Sequence, residues 1–186
     1  MKYTRIIMGI DPGTSNMGVG VIGFTGQKAE ILVMDTLKLD KISDHQLKLK
    51  KIFETVLRII DQFHPEEFAI ESPFFGKNVQ SMLKLGRAQG VAIAAALYRN
   101  LPVFEYPPRK IKQSITGRGS ASKEQVAAML RNLLIFQTTP EYFDSTDAIA
   151  VAFCHYFQNQ GNNSIKGKDN SGWKAFIASN PKRVVS

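Results

Sequence analysis

The sequence contains a single cysteine, Cys154, among its 186 residues. One thiol excludes an internal disulfide framework and any zinc site built from several cysteines. A reducing, intracellular compartment is therefore expected, because disulfides are used mainly by secreted domains. The chain also lacks an apolar run of the roughly 20 residues that a membrane-spanning helix needs, and its apolar N-terminal run is too short for a signal peptide. We expect a soluble, cytoplasmic protein without membrane contact.

Acidic residues are the minority among the charged residues. The sequence has 24 Lys and Arg against 16 Asp and Glu, for a formal net charge of +8. Such a surplus favours a polyanionic partner, and nucleic acid is a commoner one than a membrane surface. A basic protein without such a partner is an equally open alternative. The positions of the few acids within this basic chain therefore carry most of the information.

The length allows one domain with a substantial hydrophobic core. From Asn159 to Gly172 the one apolar residue is Ile165, so this stretch cannot bury enough surface to offset its ordering entropy. We expect a folded domain over residues 1–158, followed by a flexible polar linker and C-terminal tail over residues 159–186. Trp173 in that tail could dock on the domain or contact a partner.

Hydrophobic periodicity predicts an alternation of strands and helices. Three β-rich stretches at 3–9, 17–24 and 29–37 are joined by short turns, which predicts an antiparallel meander. Helical spacing predicts a first helix from 47 to 63, where Pro65 ends it. Later elements are short strands at 68–71 and 102–105 and helices at 78–97, 109–115, 122–134 and 144–157. This order predicts an α/β fold whose mixed five-stranded sheet has three antiparallel strands, then parallel strands, with helices on both faces.

Two carboxylates stand directly after apolar strands. Asp11 follows Ile10, and Glu71 follows Ile70. The carboxyl ends of strands are where ligands bind in open α/β sheets, and a strand buried on both faces has no structural need of an acid there. For Asp11 a plain turn is the alternative, because it begins the turn-forming sequence Asp11-Pro12-Gly13.

Asp144 and Asp147 lie three residues apart at the start of the last predicted helix, so they share one helix face. Each has a structural alternative. Asp144 could cap the helix, and Asp147 could stabilise the positive end of the helix dipole. Their occurrence together with Asp11 and Glu71, in this strand order, favours a functional cluster.

Four carboxylates brought together would repel one another, so cations must offset their charge. Ligation by oxygen alone selects hard ions such as Mg²⁺ or Mn²⁺. Two such ions roughly 4 Å apart can activate a water molecule and stabilise the leaving 3′-oxygen in phosphodiester hydrolysis. The sequence therefore predicts a metal-dependent nuclease whose catalytic and metal-binding acids are Asp11, Glu71, Asp144 and Asp147.

Several motifs together resemble the RuvC family of Holliday-junction resolvases, which belongs to the RNase H-like superfamily. The matching segments are Gly9–Thr14, Ala69–Glu71, Lys77–Asn78, Leu83–Gly86, Gly90–Ile93 and Asp144–Ala150. The resemblance extends from about residue 4 to residue 158. Gly9–Thr14 alone is a weak signal, because actin-like ATPases carry a similar strand and turn, but the combination is specific.

The resemblance implies an RNase H-like fold and a homodimer that nicks two strands of a four-way DNA junction symmetrically in recombination and repair. It implies Mg²⁺, two ions per active site with Mn²⁺ as a substitute, and products with 5′-phosphate and 3′-hydroxyl ends. It also implies a branch-migration complex as a partner. The family dimerises through the region of Gly86 and Gly90, although packing of these small residues against the sheet explains them equally well.

Phe74 and Phe75 follow Glu71 in a loop flanked by proline and glycine. Exposed aromatic rings beside a catalytic acid could stack on an unpaired base, for roughly 1–3 kcal/mol each, although either ring could equally be a core residue. The resemblance favours Phe74 as the ring that faces the junction. Ser72-Pro73 could shift the loop relative to the family pattern, which leaves Phe75 as a competitor.

Between residues 109 and 123 the chain has no acid and a run of basic residues: Arg109, Lys110, Lys112, Arg118 and Lys123. With Gly117 and Gly119 allowing the backbone to approach a phosphate, this segment predicts a clamp on the DNA backbone. A solvated charged face is the alternative. The resemblance places Lys112 and Lys123 near the scissile phosphate and adds Lys77 to the DNA-binding residues.

Other function classes fit part of the pattern. An actin-like ATPase or sugar kinase would hold phosphate with residues 11–14, but it needs two such halves and a second glycine-rich loop. Another nuclease on this fold, such as an RNase H, shares the acids; the small-residue helix and the loop at 74–78 favour the resolvase. A non-catalytic DNA-binding module gives no reason for converging acids. His155 is expected to be a packing or surface residue rather than a ligand, and Cys154 a buried apolar one.

Overall fold

The computed structural model describes residues 2–26, 28–73, 78–134 and 143–163. The chain divides into two compact units, residues 1–155 and 156–186. The first unit contains the whole β-sheet. Of the second unit, the described part is the end of the last helix.

Strands and helices follow one another in the predicted order. The strands are β1 (Arg5–Asp11), β2 (Asn16–Thr25), β3 (Lys28–Lys38), β4 (Glu67–Glu71) and β5 (Val103–Tyr106). The helices are α1 (His45–Phe63), α2 (Val79–Tyr98), α3 (Pro108–Thr116), α4 (Lys123–Leu133) and α5 (Phe143–Asn163). Within the described ranges, no helix is long and apolar enough to cross a bilayer.

Helix α5 continues to Asn163, past its predicted end at Phe157 and into the start of the predicted linker. The added residues include no proline, and an established helix gains one hydrogen bond for each residue that it adds. Residues 164–186, including Trp173 and most of the predicted linker and tail, lie outside the described residues.

The sheet has the strand order β3-β2-β1-β4-β5. β1 pairs antiparallel with β2, and β2 with β3, while β1 pairs parallel with β4, and β4 with β5. The predicted mixed five-stranded sheet is therefore confirmed. Because β1 and β4 are parallel neighbours, their carboxyl ends lie at the same edge of the sheet.

Strand alternation sends successive side chains to opposite faces. On one face Met8 and Ile10, both fully buried, pack into a core with apolar residues of α1 and α2 such as Ile52 and Ala92. The other face carries residues 5, 7, 9 and 11 of β1 and receives α5, whose Ala148 lies against Gly9. Helices on both faces of the sheet are thus confirmed, and Asp11 belongs to the α5 face.

Helix ends follow local sequence signals. Asp44 caps α1 by accepting a hydrogen bond from the Leu47 backbone at 2.9 Å. Ser122 and Gln125 form a capping box at the start of α4, where each side chain satisfies a backbone N–H of the other residue. This cap fixes the first turn of α4, which carries Lys123.

Candidate active site

The strand-end acids are brought together by the register of β1 and β4. Ile10 of β1 pairs with Ile70 of β4, and the next residue of each strand is Asp11 and Glu71, respectively. Both acids therefore end adjacent strands at one edge of the sheet and point to the α5 face. The predicted convergence of these two side chains follows from this pairing.

Asp147 is placed by two glycines that lie opposite each other in the sheet. Gly9 and Gly20 are cross-strand partners, and both lie beneath α5. A Cβ atom on Gly9 would meet the Ala148 carbonyl oxygen and lie 2.8 Å from the Ala152 nitrogen, and one on Gly20 would lie 2.7 Å from Ile149 Cδ1. The helix backbone can approach the strands this closely only because both positions lack a side chain.

The sequence-based prediction did not single out Gly9 or Gly20 for this role. Glycine inside a strand is itself a signal of close backbone approach, so the signal was available. The sequence could not show that Gly9 and Gly20 are partners, because their pairing depends on the register of β1 and β2.

The turn after β1 is tight and is held from outside the sheet. A side chain on Gly13 would collide with the Asn16 carbonyl oxygen. The Lys48 ammonium group of α1 donates a hydrogen bond of 3.0 Å to the Thr14 carbonyl. The residues after Asp11 thus form the tight turn that was the structural alternative for this acid. Such a turn leaves the Asp11 carboxylate available for a functional role.

Three of the predicted acids line one cavity of about 660 Å³. Its charged and polar lining consists of Asp11, Glu71, Ser72, Arg109, Lys112, Lys123 and Asp147. Its apolar lining consists of Pro12, Pro73, Leu85, Pro107, Pro108, Ile111, Val126 and Ala150. The cavity thus combines carboxylates and cationic groups, the two kinds of side chain that metal-dependent phosphate chemistry requires.

The charges in this cavity interact strongly. The Lys123 ammonium nitrogen lies 2.5 Å from Asp147 Oδ2, and the Asp147 side chain is 17% exposed. Burial and the nearby negative charge of Asp147 raise the pKa of Glu71 to about 7, while Lys123 and Lys112 act in the opposite direction. The two lysines that the resemblance places near the scissile phosphate therefore lie close enough to the acids to affect their charge.

The basic segment is only partly in the cavity. Arg109 and Lys112 line it together with Lys123, whereas Arg118 is exposed in the turn between α3 and α4, where its backbone is hydrogen-bonded to the Thr116 hydroxyl group. The sequence analysis expected Gly117 and Gly119 to let the backbone approach a phosphate. The structure shows a local structural need for glycine at both positions. Gly117 ends α3 with a φ of 75°, and a side chain on Gly119 would lie 2.5 Å from Arg109 Cγ.

Some predicted site residues fall outside the described part of the chain. They are Phe74, Phe75 and Lys77, together with the side chain of Asp144. The backbone of Asp144 is described and lies in the first turn of α5. The predicted roles of these four residues stay predictions.

The donor set of the cavity fits a hard divalent ion, because its described ligand candidates are carboxylates. Among the side chains that the structure describes, however, no group of three or more His, Cys, Asp or Glu is arranged to hold a metal ion. Asp11, Glu71 and Asp147 share the cavity without forming a closed ligand cage. These residues would hold a metal ion only with further ligands from water, the DNA or Asp144.

His155 is a buried packing residue, one of the two alternatives expected from the sequence. Its side chain is fully buried, its ring lies 4.2 Å from that of Phe104, and its Nδ1 atom lies 2.6 Å from the Tyr106 hydroxyl oxygen. Cys154 beside it is also buried and forms no disulfide. Neither residue lines the cavity that holds the acids.

Comparison with known proteins gives a consistent result. The model of the family described as crossover junction endodeoxyribonuclease RuvC matches residues 7–155. A protein of that name from Cytophaga hutchinsonii is 56% identical over 97% of this chain and 88% of its own length. Another from Christiangramia forsetii is 54% identical over 99% of this chain and 95% of its own length.

Solved structures agree with the sequence matches. The chain is similar to T. thermophilus RuvC in complex with Holliday junction substrate, with a TM-score of 0.79 and 32% identity over 85% of this chain and 96% of that one. The RNase H-like fold of this family, expected from the motifs, is confirmed. Since the family model and the relatives each cover most of its length, the chain belongs to the RuvC family of crossover junction endodeoxyribonucleases.

Proposed function

We propose that this protein resolves Holliday junctions by paired symmetric nicks, as a structure-selective endodeoxyribonuclease of DNA recombination and repair. The observation that carries the proposal is the single cavity in which Asp11, Glu71 and Asp147 face three cationic side chains. The names of its relatives, and the junction complex of the similar T. thermophilus protein, support four-way junction DNA as the substrate.

The proposed metal is Mg²⁺, two ions per active site, with Mn²⁺ as a substitute. Asp11, Glu71 and Asp147 would hold it, with Asp144 as the fourth acid. Oxygen ligands alone favour such hard ions. When bound, the metal supplies Lewis-acid chemistry, which polarises the phosphate and lowers the pKa of a nearby water molecule.

The side chains of the cavity account for the remaining requirements of hydrolysis. A water molecule loses one proton as its oxygen bonds to phosphorus, the bond from phosphorus to the 3′-oxygen breaks, and the leaving oxygen takes up a proton. The products carry 5′-phosphate and 3′-hydroxyl ends. Lys112 and Lys123 would stabilise negative charge that develops on the phosphate oxygens, as fixed cationic groups do in such sites. Lys123 contacts Asp147 at 2.5 Å, so it would have to leave or share this carboxylate in order to bind a phosphate.

DNA binding is assigned to the basic residues around the cavity. Arg109 lines the cavity and Arg118 is exposed in the turn between α3 and α4, so both can neutralise phosphates along the strand. Phe74 and Phe75, with Lys77, are proposed to contact the opened junction. Stacking of one ring on an unpaired base would distinguish a junction from an intact duplex.

A homodimer is proposed because two symmetric nicks need two active sites. The outer face of α2 suits the interface. Gly86 and Gly90 have open space where a side chain would lie, and Leu83 and Leu97 on the same helix are 55% and 56% exposed. Close approach of two such helices would bury these leucines. A branch-migration complex as partner, and the cytoplasm as compartment, are further expectations of this proposal.

A substrate panel tests the function. The protein is incubated with a mobile four-way junction, a linear duplex and an RNA–DNA hybrid, each with Mg²⁺ and with EDTA. We expect symmetric cleavage of the junction with Mg²⁺ and none with EDTA. Preferential cleavage of the hybrid would contradict the proposal in favour of an RNase H activity, and full cleavage in EDTA would contradict the metal site.

A further inference from the structure

A second polar cluster lies on the α5 face and extends from the amino ends of β1 and β4 to Tyr106 at the carboxyl end of β5. It consists of Arg5, Glu67, Tyr106 and His155, and is called here the histidine network. Arg5 binds the Glu67 carboxylate at 2.6 Å. His155 Nε2 lies 3.2 Å from Glu67 Oε2 and 3.4 Å from Arg5. The Tyr106 hydroxyl group lies 2.6 Å from His155 Nδ1.

The contacts of His155 match a neutral imidazole ring. Glu67 as a carboxylate can only accept, so Nε2 carries the proton and donates it. Nδ1 is then the acceptor and receives the Tyr106 hydroxyl hydrogen. Burial lowers the pKa of His155, with Arg5 acting in the same direction and Glu67 against it. Nε2 thus pairs with Glu67 and Nδ1 with Tyr106, which fixes the ring orientation, while Arg5 bonds to the Glu67 carboxylate.

The histidine network ties α5 to the strands through directional bonds. Gly9 and Gly20 set how closely the middle of α5 approaches the strands, and a directional contact further along the helix opposes sliding or rotation about that point. His155 makes directional bonds with Glu67 of β4 and Tyr106 of β5, and Arg5 of β1 joins the network through its bond to Glu67. Directional bonds of a buried side chain resist such motion more than apolar contact does.

The histidine network is also connected to the active site, through α5 and through β5. His155 follows Asp147 by eight residues in one helix, about 12 Å along its axis. Tyr106 is the register partner of Glu71, and its carbonyl oxygen accepts a hydrogen bond of 2.9 Å from the Ser72 backbone. The bond between Tyr106 and His155 therefore joins the helix that carries Asp147 to the strand edge that carries Glu71.

We propose that His155 and Tyr106 are positioning residues of the active site, which set α5 so that Asp147 faces Asp11 and Glu71. Neither residue touches the substrate or the metal in this account. The inference rests on the proposed function for its cleavage readout, and its metal-binding readout is independent of that function.

The test compares Tyr106→Phe, which removes only the hydroxyl oxygen, with Cys154→Ala, which removes one buried atom from α5 outside the network. Three quantities are measured: the single-turnover rate of junction cleavage with Mg²⁺, the junction Kd with Ca²⁺, and Mn²⁺ binding without DNA by electron paramagnetic resonance. We expect Tyr106→Phe to lower the cleavage rate by about 10- to 100-fold and to weaken Mn²⁺ binding, as changes behind metal ligands commonly do. The junction Kd should stay within about twofold, because the DNA-binding residues are untouched.

His155→Asn and His155→Phe supply a second comparison. The asparagine amide can still accept from Tyr106 and donate to Glu67, whereas phenylalanine can do neither. We expect His155→Asn to retain more activity and tighter Mn²⁺ binding than His155→Phe. The proposal is overturned if Tyr106→Phe loses no more activity and Mn²⁺ affinity than Cys154→Ala, or if asparagine does no better than phenylalanine. If the wild-type protein cuts no junction, the proposed function fails, and the Mn²⁺ measurements alone decide the positioning role.

Discussion

A single methyl group on Gly9 should displace the helix that carries Asp147. In Gly9→Ala the new Cβ atom would lie 2.8 Å from the Ala152 nitrogen, whereas ordinary contacts are at 3.4 Å or more, and it would meet the Ala148 carbonyl oxygen more closely still. Both neighbours are backbone atoms of α5, which cannot rotate away as a flexible side chain can. The helix must therefore move from the sheet by at least about 0.6 Å, the difference between these distances.

The displacement should affect stability modestly and catalysis strongly. Overpacking of a well-packed interior costs about 1–3 kcal/mol, and for a chain of this length each kcal/mol lowers the Tm by about 2–4 °C. A Tm loss of about 2–12 °C follows from these two figures. A shift of about 1 Å in a reacting group can cost about 100-fold in rate, so we expect the cleavage rate to fall by up to that factor.

The assay is single-turnover cleavage of a four-way junction, measured well below the Tm of both proteins. Ile52→Val in α1 is the control, since it removes a buried methylene for about 0.5–1.5 kcal/mol on the opposite face of the sheet. Gly9→Ala should lose far more activity than the control for a comparable loss of Tm. Wild-type cleavage by Gly9→Ala, with the Tm lowered, would refute the placement of Asp147 by this glycine pair.

Three further predictions concern pH, salt and assembly. Because burial lowers the pKa of His155 below 6.5, the unfolded chain binds a proton below pH 6.5 that the folded chain binds only at lower pH. The free energy of unfolding should therefore fall from about pH 7 to pH 5 more steeply in the wild type than in His155→Phe, as measured by urea titration; equal slopes would contradict this. Arg118→Ala should reduce the slope of log K for junction binding against log salt concentration by about 0.9, measured by fluorescence anisotropy, whereas an unchanged slope would exclude a phosphate contact. Gly90→Leu should yield a monomer in sedimentation velocity if the outer face of α2 is the dimer interface, and a retained dimer would place the interface elsewhere.

The strands, the helices and the positions of the strand-end acids were predictable because short stretches of sequence indicate them. Apolar runs and turn residues define β1 and β4 in the sequence, and Asp11 and Glu71 are the next residues in line. Parallel pairing of the two strands then brings the acids to one edge. The resemblance to the RuvC family supplied the function, which the acids alone leave open among several nucleases.

Features that depend on register or on distant partners were not predictable in this way. Gly9 and Gly20 lie side by side beneath α5 only because β1 pairs with β2 in this register. Arg5 and Glu67 are separated by 62 positions, and both are ordinary surface residue types in the sequence. For His155 a packing and a surface position were both open, and its partner Tyr106 could not be identified from periodicity.

Cleavage by carboxylate variants tests the central claim most directly. Asp11→Asn, Glu71→Gln and Asp147→Asn are assayed for junction cleavage with Mg²⁺ and for junction binding, alongside Glu54→Gln, an exposed acid of α1. Each of the three cavity variants should bind the junction and fail to cut it, because loss of a carboxylate removes a metal ligand, while Glu54→Gln should cut as the wild type does. Cleavage at the wild-type rate by any of the three cavity variants would contradict the account.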